Sequence, residues 1–232
     1  LVSADKKLTT GHWPLATDVL IFDMDGVLVD VRESYREAIV QTVKHFSGKT
    51  IARELIQQYK NSGGWNNDWA LTQRILRDLG CEVDYDPVVT EFNKLFVGEN
   101  GREGLVRRER WIARDGLLER LSQRFQLAIF TGRMRWEADI TLGRFAQSIR
   151  FDPIICADDV TEPKPLPEGL LKIASAAPGK RLLYFGDVVD DARAAKAAAV
   201  PFVGVGDQKA QLMQEGAIAA VDDINEIEEL LA

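Results

Sequence analysis

Five short apolar runs punctuate this chain: Val19 to Phe22, Leu127 to Phe130, Pro153 to Cys156, Leu182 to Phe185 and Phe202 to Val205. They read as strands, and helical patterns lie between most of them, among them Arg135 to Phe145, Glu168 to Ala176 and Asp190 to Ala199. Strand and helix therefore alternate as in a parallel, doubly wound sheet. Ala192 to Ala199 is nearly all alanine, and such small side chains permit close approach to a sheet.

The alternation fails once, between Val31 and about Arg110, where helical periodicity runs without a convincing core strand. Tyr35, Ala38, Ile39, Thr42, Val43 and Phe46 repeat on one helical face, as do Trp69, Thr72, Ile75, Leu76 and Leu79. Val88, Phe92, Leu95 and Phe96 continue the pattern. The expected fold is α/β: a doubly wound, parallel-sheet, Rossmann-like core of residues 1–30 and 111–232, with an inserted, smaller, all-helical cap of residues 31–110. An insertion directly after the first strand's turn would sit over the sheet's crevice, where it could exclude water and select substrates.

The chain is long enough, at 232 residues, to bury a sizeable core. Its 46% hydrophobic and 28% charged residues are those of a globular protein, and no apolar stretch approaches the ~20 residues that span a bilayer. A membrane protein is disfavoured. The net charge of −7 gives no basic footprint for nucleic acid and favours a small anionic ligand, although Arg107, Arg108 and Arg110 form a local basic cluster. Cys81 and Cys156 are too few for a disulfide framework and read as reduced packing thiols in a cytoplasmic protein. The first residues contain no secretory apolar segment and no initiating Met.

Asp23-Met24-Asp25-Gly26 stands at the end of the first apolar run, where open α/β sheets bind ligands. Strand alternation puts Asp23 and Asp25 on one side and Met24 on the other, and Gly26 lets the backbone turn closely around a bound group. One carboxylate could attack while its neighbour moves protons. Three more segments fall near strand ends. Thr131-Gly132-Arg133 offers a hydroxyl and close backbone N–H groups to a phosphate oxygen. Lys164, between restricting prolines, could aim an ammonium into the crevice. Gly186-Asp187 with Asp190 and Asp191 supplies hard oxygen ligands suited to Mg²⁺, although acidic residues also favour helix starts.

Together these segments resemble the haloacid dehalogenase superfamily, in its phosphatase-like branch with a helical cap (the phosphoglycolate phosphatase and β-phosphoglucomutase type). The motifs that carry the resemblance are Asp23 to Asp30, Thr131-Gly132, Lys164 to Glu168, and Gly186-Asp187 with Asp191, in the family's order and over nearly the whole chain. The resemblance implies that Asp23 attacks phosphorus to form an aspartyl-phosphate, and that Asp25 protonates the leaving oxygen and later takes a proton from water. It implies Mg²⁺ held by the Asp23 carboxylate, the Asp25 carbonyl and Asp187, with Asp191 in support. Thr131, Gly132 and Lys164 would hold and neutralise the phosphoryl group. Two readings of Arg133 stand, substrate contact or solvent exposure, and two of Asp190, helix cap or metal support.

Asp at position 25 separates phosphate chemistry from dehalogenation within the superfamily, because the dehalogenases lack this second Asp. The implied activity is Mg²⁺-dependent hydrolysis of a small phosphorylated metabolite. Phosphoryl transfer of the β-phosphoglucomutase kind is the second reading, and a non-enzymatic metal- or phosphate-binding regulatory protein the third. Substrate choice falls to the helical insertion, where Asn61, Gly64, Trp65, Asn66 and Asn67 are the candidates for recognition. Asp68 is expected to cap the next helix and Trp69 to enter its core. His12 and His45 lie near no nucleophile pattern.

Overall fold

The structure, a computed structural model, describes residues 17–231. His12 lies outside them. Six parallel strands form the main sheet: β1 (Val19–Phe22), β4 (Gln126–Phe130), β5 (Phe151–Ile155), β6 (Leu182–Gly186), β7 (Phe202–Val205) and β8 (Ala219–Val221), in the order β5-β4-β1-β6-β7-β8. The chain winds outward on one side through β4 and β5, then returns to the other side of β1 for β6. That reversal opens a crevice beyond the carboxyl ends of β1 and β6.

Alternate residues of each strand enter two apolar layers. Leu20, Phe22, Leu127, Ile129, Leu183 and Phe185 face one layer, and Val19, Ile21, Ala128, Phe130, Leu182 and Tyr184 the other. Burial on both faces explains the near-continuous apolar runs that betrayed these strands in the sequence. Helices α7 (Glu168–Ala176), α8 (Val189–Ala197) and α9 (Lys209–Glu215) cover the second face. Ala192, Ala194 and Ala195 of α8 are buried in that layer, as their small size allows. Helices α5 (Leu117–Ser122) and α10 (Ile227–Leu230) pack against the first layer. The remaining core helix, α6 (Arg135–Phe145), follows β4.

Between residues 31 and 109 the chain forms four α-helices, α1 (Tyr35–Ser47), α2 (Arg53–Ser62), α3 (Asp68–Asp78) and α4 (Tyr85–Val97). Tyr35, Phe92 and Phe96 pack as tilted rings at their centre, with ring centroids of Tyr35 and Phe96 4.3 Å apart. None of the four adds a strand to the sheet. Two short strands flank them, β2 (Val29–Asp30) and β3 (Arg110–Trp111), which pair antiparallel where the chain enters and leaves the helical segment.

Several elements differ from the sequence reading. The β2–β3 pair and β8 were not anticipated, because two- and three-residue strands carry too little alternation to register. Cys156 lies just past β5 instead of ending it, and α8 runs from Val189 to Ala197 instead of Asp190 to Ala199, its exit turned by Ala199 at φ 55°. No helix among the described residues is long and apolar enough to cross a membrane.

The aromatic cluster predicts a measurable contribution. Phe92→Ala, which empties a fully buried ring site between α1 and α4, should lower unfolding free energy by about 3–5 kcal/mol in urea denaturation. A loss under about 1 kcal/mol would show that these helices do not depend on that packing.

Candidate active site

Asp23 is the first residue beyond β1, and its N–H donates to the Phe185 carbonyl of the neighbouring strand (2.9 Å). This last rung of the sheet fixes where its side chain leaves the backbone. Met24 packs fully buried on the opposite side. The chain then turns at Gly26 (φ 76°), where an added Cβ would sit 2.0 Å from Oδ2 of Asp187. Glycine is needed here both for the left-handed backbone and for the close approach of the Asp187 loop.

Lys164 lies at the centre of the carboxylates. Its Nζ is 3.1 Å from Asp23 Oδ1 and 2.7 Å from Asp191 Oδ1, and it also donates to the Tyr184 hydroxyl (3.0 Å) and the Phe130 carbonyl (3.2 Å). Burial alone would lower the Lys164 pKa, but Asp191 and Asp23 outweigh it and hold the ammonium above its ordinary value. Asp191 is fully buried; its Oδ1 also accepts from Tyr184 (2.6 Å), and its Oδ2 accepts the N–H groups of Asp187 and Val188 (3.2 Å each). One side chain thus anchors the lysine and shapes the loop that carries Asp187.

Negative charge remains in excess. Burial pushes the Asp23 carboxyl up to about 7 against the attraction of Lys164, with Asp191 and Asp25 adding to the rise. Burial likewise raises Asp187 well above the carboxylate range, reinforced by Asp191 and Asp23. Oxygens of Asp23, Asp187 and Asp191 lie within 4.8 Å of one another. Hard carboxylate oxygens converging with too little positive charge suit a divalent cation, and the residues therefore fit Mg²⁺.

Thr131 and Gly132 follow β4 on the adjacent side of Asp23. Thr131 Oγ1 accepts the Arg133 N–H (3.2 Å), and a Cβ on Gly132 would come within 2.6 Å of Asn66 Nδ2, so the helical segment closes directly onto this turn. A cavity of about 80 Å³ lies between them, bordered by Asp23, Asp25, Asn66, Gly132, Arg133 and Asp187. Lys60, Asn67, Asp68 and Trp69 line it from the helical side, with Lys60 and Asp68 2.8 Å apart.

The structure brings Asp23, Asp25, Thr131, Gly132, Lys164, Asp187 and Asp191 together. The candidates on the helical segment divide. Asn66 and Asn67 border the cavity, yet Asn67 Oδ1 accepts the Ala70 N–H (2.9 Å) and caps α3. The cap is therefore Asn67 and not Asp68, which is the first helical residue and pairs with Lys60. Asn61 bonds Gln57 and, through its carbonyl, Gln211 of α9 (2.9 Å). Trp65 packs edge-on against Tyr59. The Gly64 N–H donates to the buried Asp190 carboxylate (2.9 Å), so Asp190 neither caps its helix nor joins the metal-suited carboxylates; it ties the helical segment to α8.

Arg133 does not face solvent. It is 2% exposed and bonds Asp25, Glu109 and Thr141. Arg107, Arg108 and Arg110 are exposed beside a separate open concavity that Asp23 does not border. Burial pushes the Cys156 thiol up to about 12, so it is not an activated thiol, and the Cys81 thiol donates to the Phe46 carbonyl (3.5 Å). His45 is half exposed beside Glu91.

Sequence reasoning missed Glu109, Thr141, Tyr184 and Glu137. Glu137 left one signal: it stands three residues after Met134, the spacing at which a helix-start Glu reaches back, and its Oε2 accepts the Met134 N–H (2.8 Å). The others meet their partners only through the fold.

The family of haloacid dehalogenase-like hydrolases matches residues 20–205, a span that contains all four motifs and all of the site just described. The chain belongs to this family. It is 34% identical over 195 residues to an imidazoleglycerol-phosphate dehydratase of Phytophthora nicotianae, covering 80% of this chain and 42% of that protein, so it spans less than half the length of this relative. It is 24% identical over 195 residues to pyrophosphatase PpaX of Bacillus velezensis, covering 80% and 82%. A predicted phosphoglycolate phosphatase from Haemophilus somnus shares the fold with a TM-score of 0.75 at 19% identity, over 93% of this chain and 98% of that one.

Two outcomes follow for this family member. Gly26→Ala should destabilise the fold by more than about 1 kcal/mol in urea titration, since it strains the turn and displaces Asp187. Burial also raises Glu137 from 4.5 to about 7. Between those values the folded protein keeps a proton that the unfolded chain has released. Stability from this group is full below about pH 4.5 and lost as pH rises through 7, a fall of roughly 3 kcal/mol. Glu137→Gln should flatten that fall in denaturation series across pH 5 to 7; an unchanged slope would exclude Glu137 as its source.

Proposed function

We propose that this family member is a Mg²⁺-dependent phosphatase that hydrolyses a small-molecule phosphate monoester through an aspartyl-phosphate on Asp23. The observation that carries the reading is the seat of Asp23: Oδ1 accepts the Met24 N–H (2.8 Å) and faces Lys164, while the side chain borders the cavity. A carboxylate so held is oriented for attack, and the ammonium favours its ionised, nucleophilic form. Residues 31–110 then act as the cap and residues 1–30 with 111–232 as the catalytic core.

In this reading Asp23 attacks phosphorus in line with the departing oxygen, and Asp25, also at the cavity, donates a proton to that oxygen. Water next attacks the phosphorus of the aspartyl-phosphate, Asp25 takes its proton, and the Asp23 carboxylate is released. Thr131 and the Gly132 N–H receive phosphoryl oxygens, and Lys164 neutralises charge shared between them and Asp23. The Asp23 and Asp187 carboxylates and the Asp25 carbonyl would hold Mg²⁺, with Asp191 behind them. When bound, the cation supplies positive charge that offsets repulsion between these carboxylates and the phosphate. A small metabolite suits so small a cavity, and Asn66, Asn67, Lys60 and Trp69 on its helical side would contact the leaving group.

The test is phosphate release from a panel of monoesters, together with pyrophosphate and imidazoleglycerol phosphate, the compounds in the two relatives' names. Wild-type turnover should require Mg²⁺, and Asp23→Asn should reduce kcat by at least about a thousandfold. Undiminished turnover in that variant would overturn the covalent route. Conversion of a sugar 1-phosphate to its 6-phosphate without phosphate release would establish the mutase reading instead.

A further inference from the structure

We propose that Arg133 is the positioning residue for Asp25, clamped in place by Glu109 and Thr141 so that a single oxygen of Asp25 faces the leaving group. The inference rests on the phosphatase reading and adds to it a role for a buried arginine whose guanidinium bonds Asp25 but none of Asp23, Asp187 and Asp191.

Arg133 Nε and Nη2 both reach Asp25 Oδ1, at 2.7 and 2.6 Å. No donor among the described residues bonds Oδ2. Nη1 donates to Thr141 Oγ1 (2.6 Å) and Nη2 to Glu109 Oε1 (2.8 Å), and Thr141 Oγ1 donates in turn to Glu109 Oε2 (2.6 Å). The Tyr35 ring lies under the guanidinium, 4.8 Å from its central carbon. The Arg133 and Glu109 side chains are each 1% exposed. These partners come from separate places: Arg133 from the turn after β4, Thr141 from α6, Glu109 from the residue before β3, and Tyr35 from α1. A planar guanidinium held from four directions has one orientation, and it imposes one on Asp25.

Burying an arginine is costly unless its charge and N–H groups are met, and a salt bridge with Glu109 alone would meet the charge. The second carboxylate in contact is Asp25, which the proposed mechanism uses to move protons. With Oδ1 occupied by Arg133, Oδ2 is the oxygen left to carry the proton towards the cavity. Acid assistance matters in proportion to how basic the departing oxygen is, so loss of orientation has a signature that general structural damage lacks.

The experiment compares kcat and KM of wild type, Arg133→Gln, Arg133→Lys and Glu109→Gln at saturating Mg²⁺. The substrates run from p-nitrophenyl phosphate through phenyl phosphate to an alkyl phosphate. For Arg133→Gln, kcat on the alkyl ester should fall about 100-fold or more, while kcat on p-nitrophenyl phosphate falls less than about fivefold. Arg133→Lys keeps the charge but not the fork and should fall between, and Glu109→Gln should show the same slope at about tenfold on the alkyl ester. Equal losses across the series, or a rise in KM with kcat unchanged, would overturn the proposal and make Arg133 a structural or substrate-binding residue. Melting temperatures accompany each variant; should Arg133→Gln not fold, the slopes of Glu109→Gln and Arg133→Lys decide. Failure of the phosphatase reading is separate, since it would appear as a wild type that releases no phosphate from any of these esters.

Discussion

The ammonium of Lys164 is the contact on which the rest of the site depends. Asp23, Asp187 and Asp191 converge at the end of the sheet, and burial raises Asp23 and Asp187 towards protonation. Without an internal cation, low dielectric and mutual repulsion would drive the cluster apart or neutralise it. Lys164 answers part of that charge, with Asp191 as its closest carboxylate partner and Asp23 beside it. The remainder is what makes the cluster a fitting seat for a divalent ion.

Topology gives this contact its place. β1 lies at the reversal of the strand order, so Asp23 emerges beside the loops after β4 and β6. The backbone bond from Asp23 to Phe185, the glycine turn at Gly26 and the amides held by Asp191 then align three loops from distant parts of the chain. The helical segment closes the fourth side, tied by Gly64 to Asp190 and pressed by Asn66 against Gly132. Contacts of this kind couple the seating of the helices to the geometry of the Thr131-Gly132 turn, so that the small cavity is a property of both parts.

What was legible in the sequence followed from local rules. The strands β1, β4, β6 and β7 announced themselves because both faces are buried, and Asp23 and Asp187 because each stands just past such a run, whereas Lys164 was marked by the prolines on either side of it. The bounds of α6 and α7 match the helical segments read between those strands. Asn67 and Asp68 are both good capping residues, and only the Ala70 N–H distinguishes them. Arg133 was ambiguous because its partners Asp25, Glu109 and Thr141 come from three distant parts of the chain, and a basic run around Glu109 disguised a buried acid. Asp190 failed for the same reason, since its partner Gly64 is 126 residues away. Long-range polar partners leave no periodic trace.

In the proposed mechanism Asp23, and no other carboxylate of the cluster, becomes covalently phosphorylated. Its most direct measurement is rapid acid quenching during turnover of an alkyl or aryl phosphate, followed by borohydride reduction and peptide mass spectrometry. Reduction of the acyl-phosphate to homoserine is expected at position 23, and only when both substrate and Mg²⁺ are present. Turnover with position 23 unmodified and the label at Asp25, Asp187 or Asp191 would contradict it.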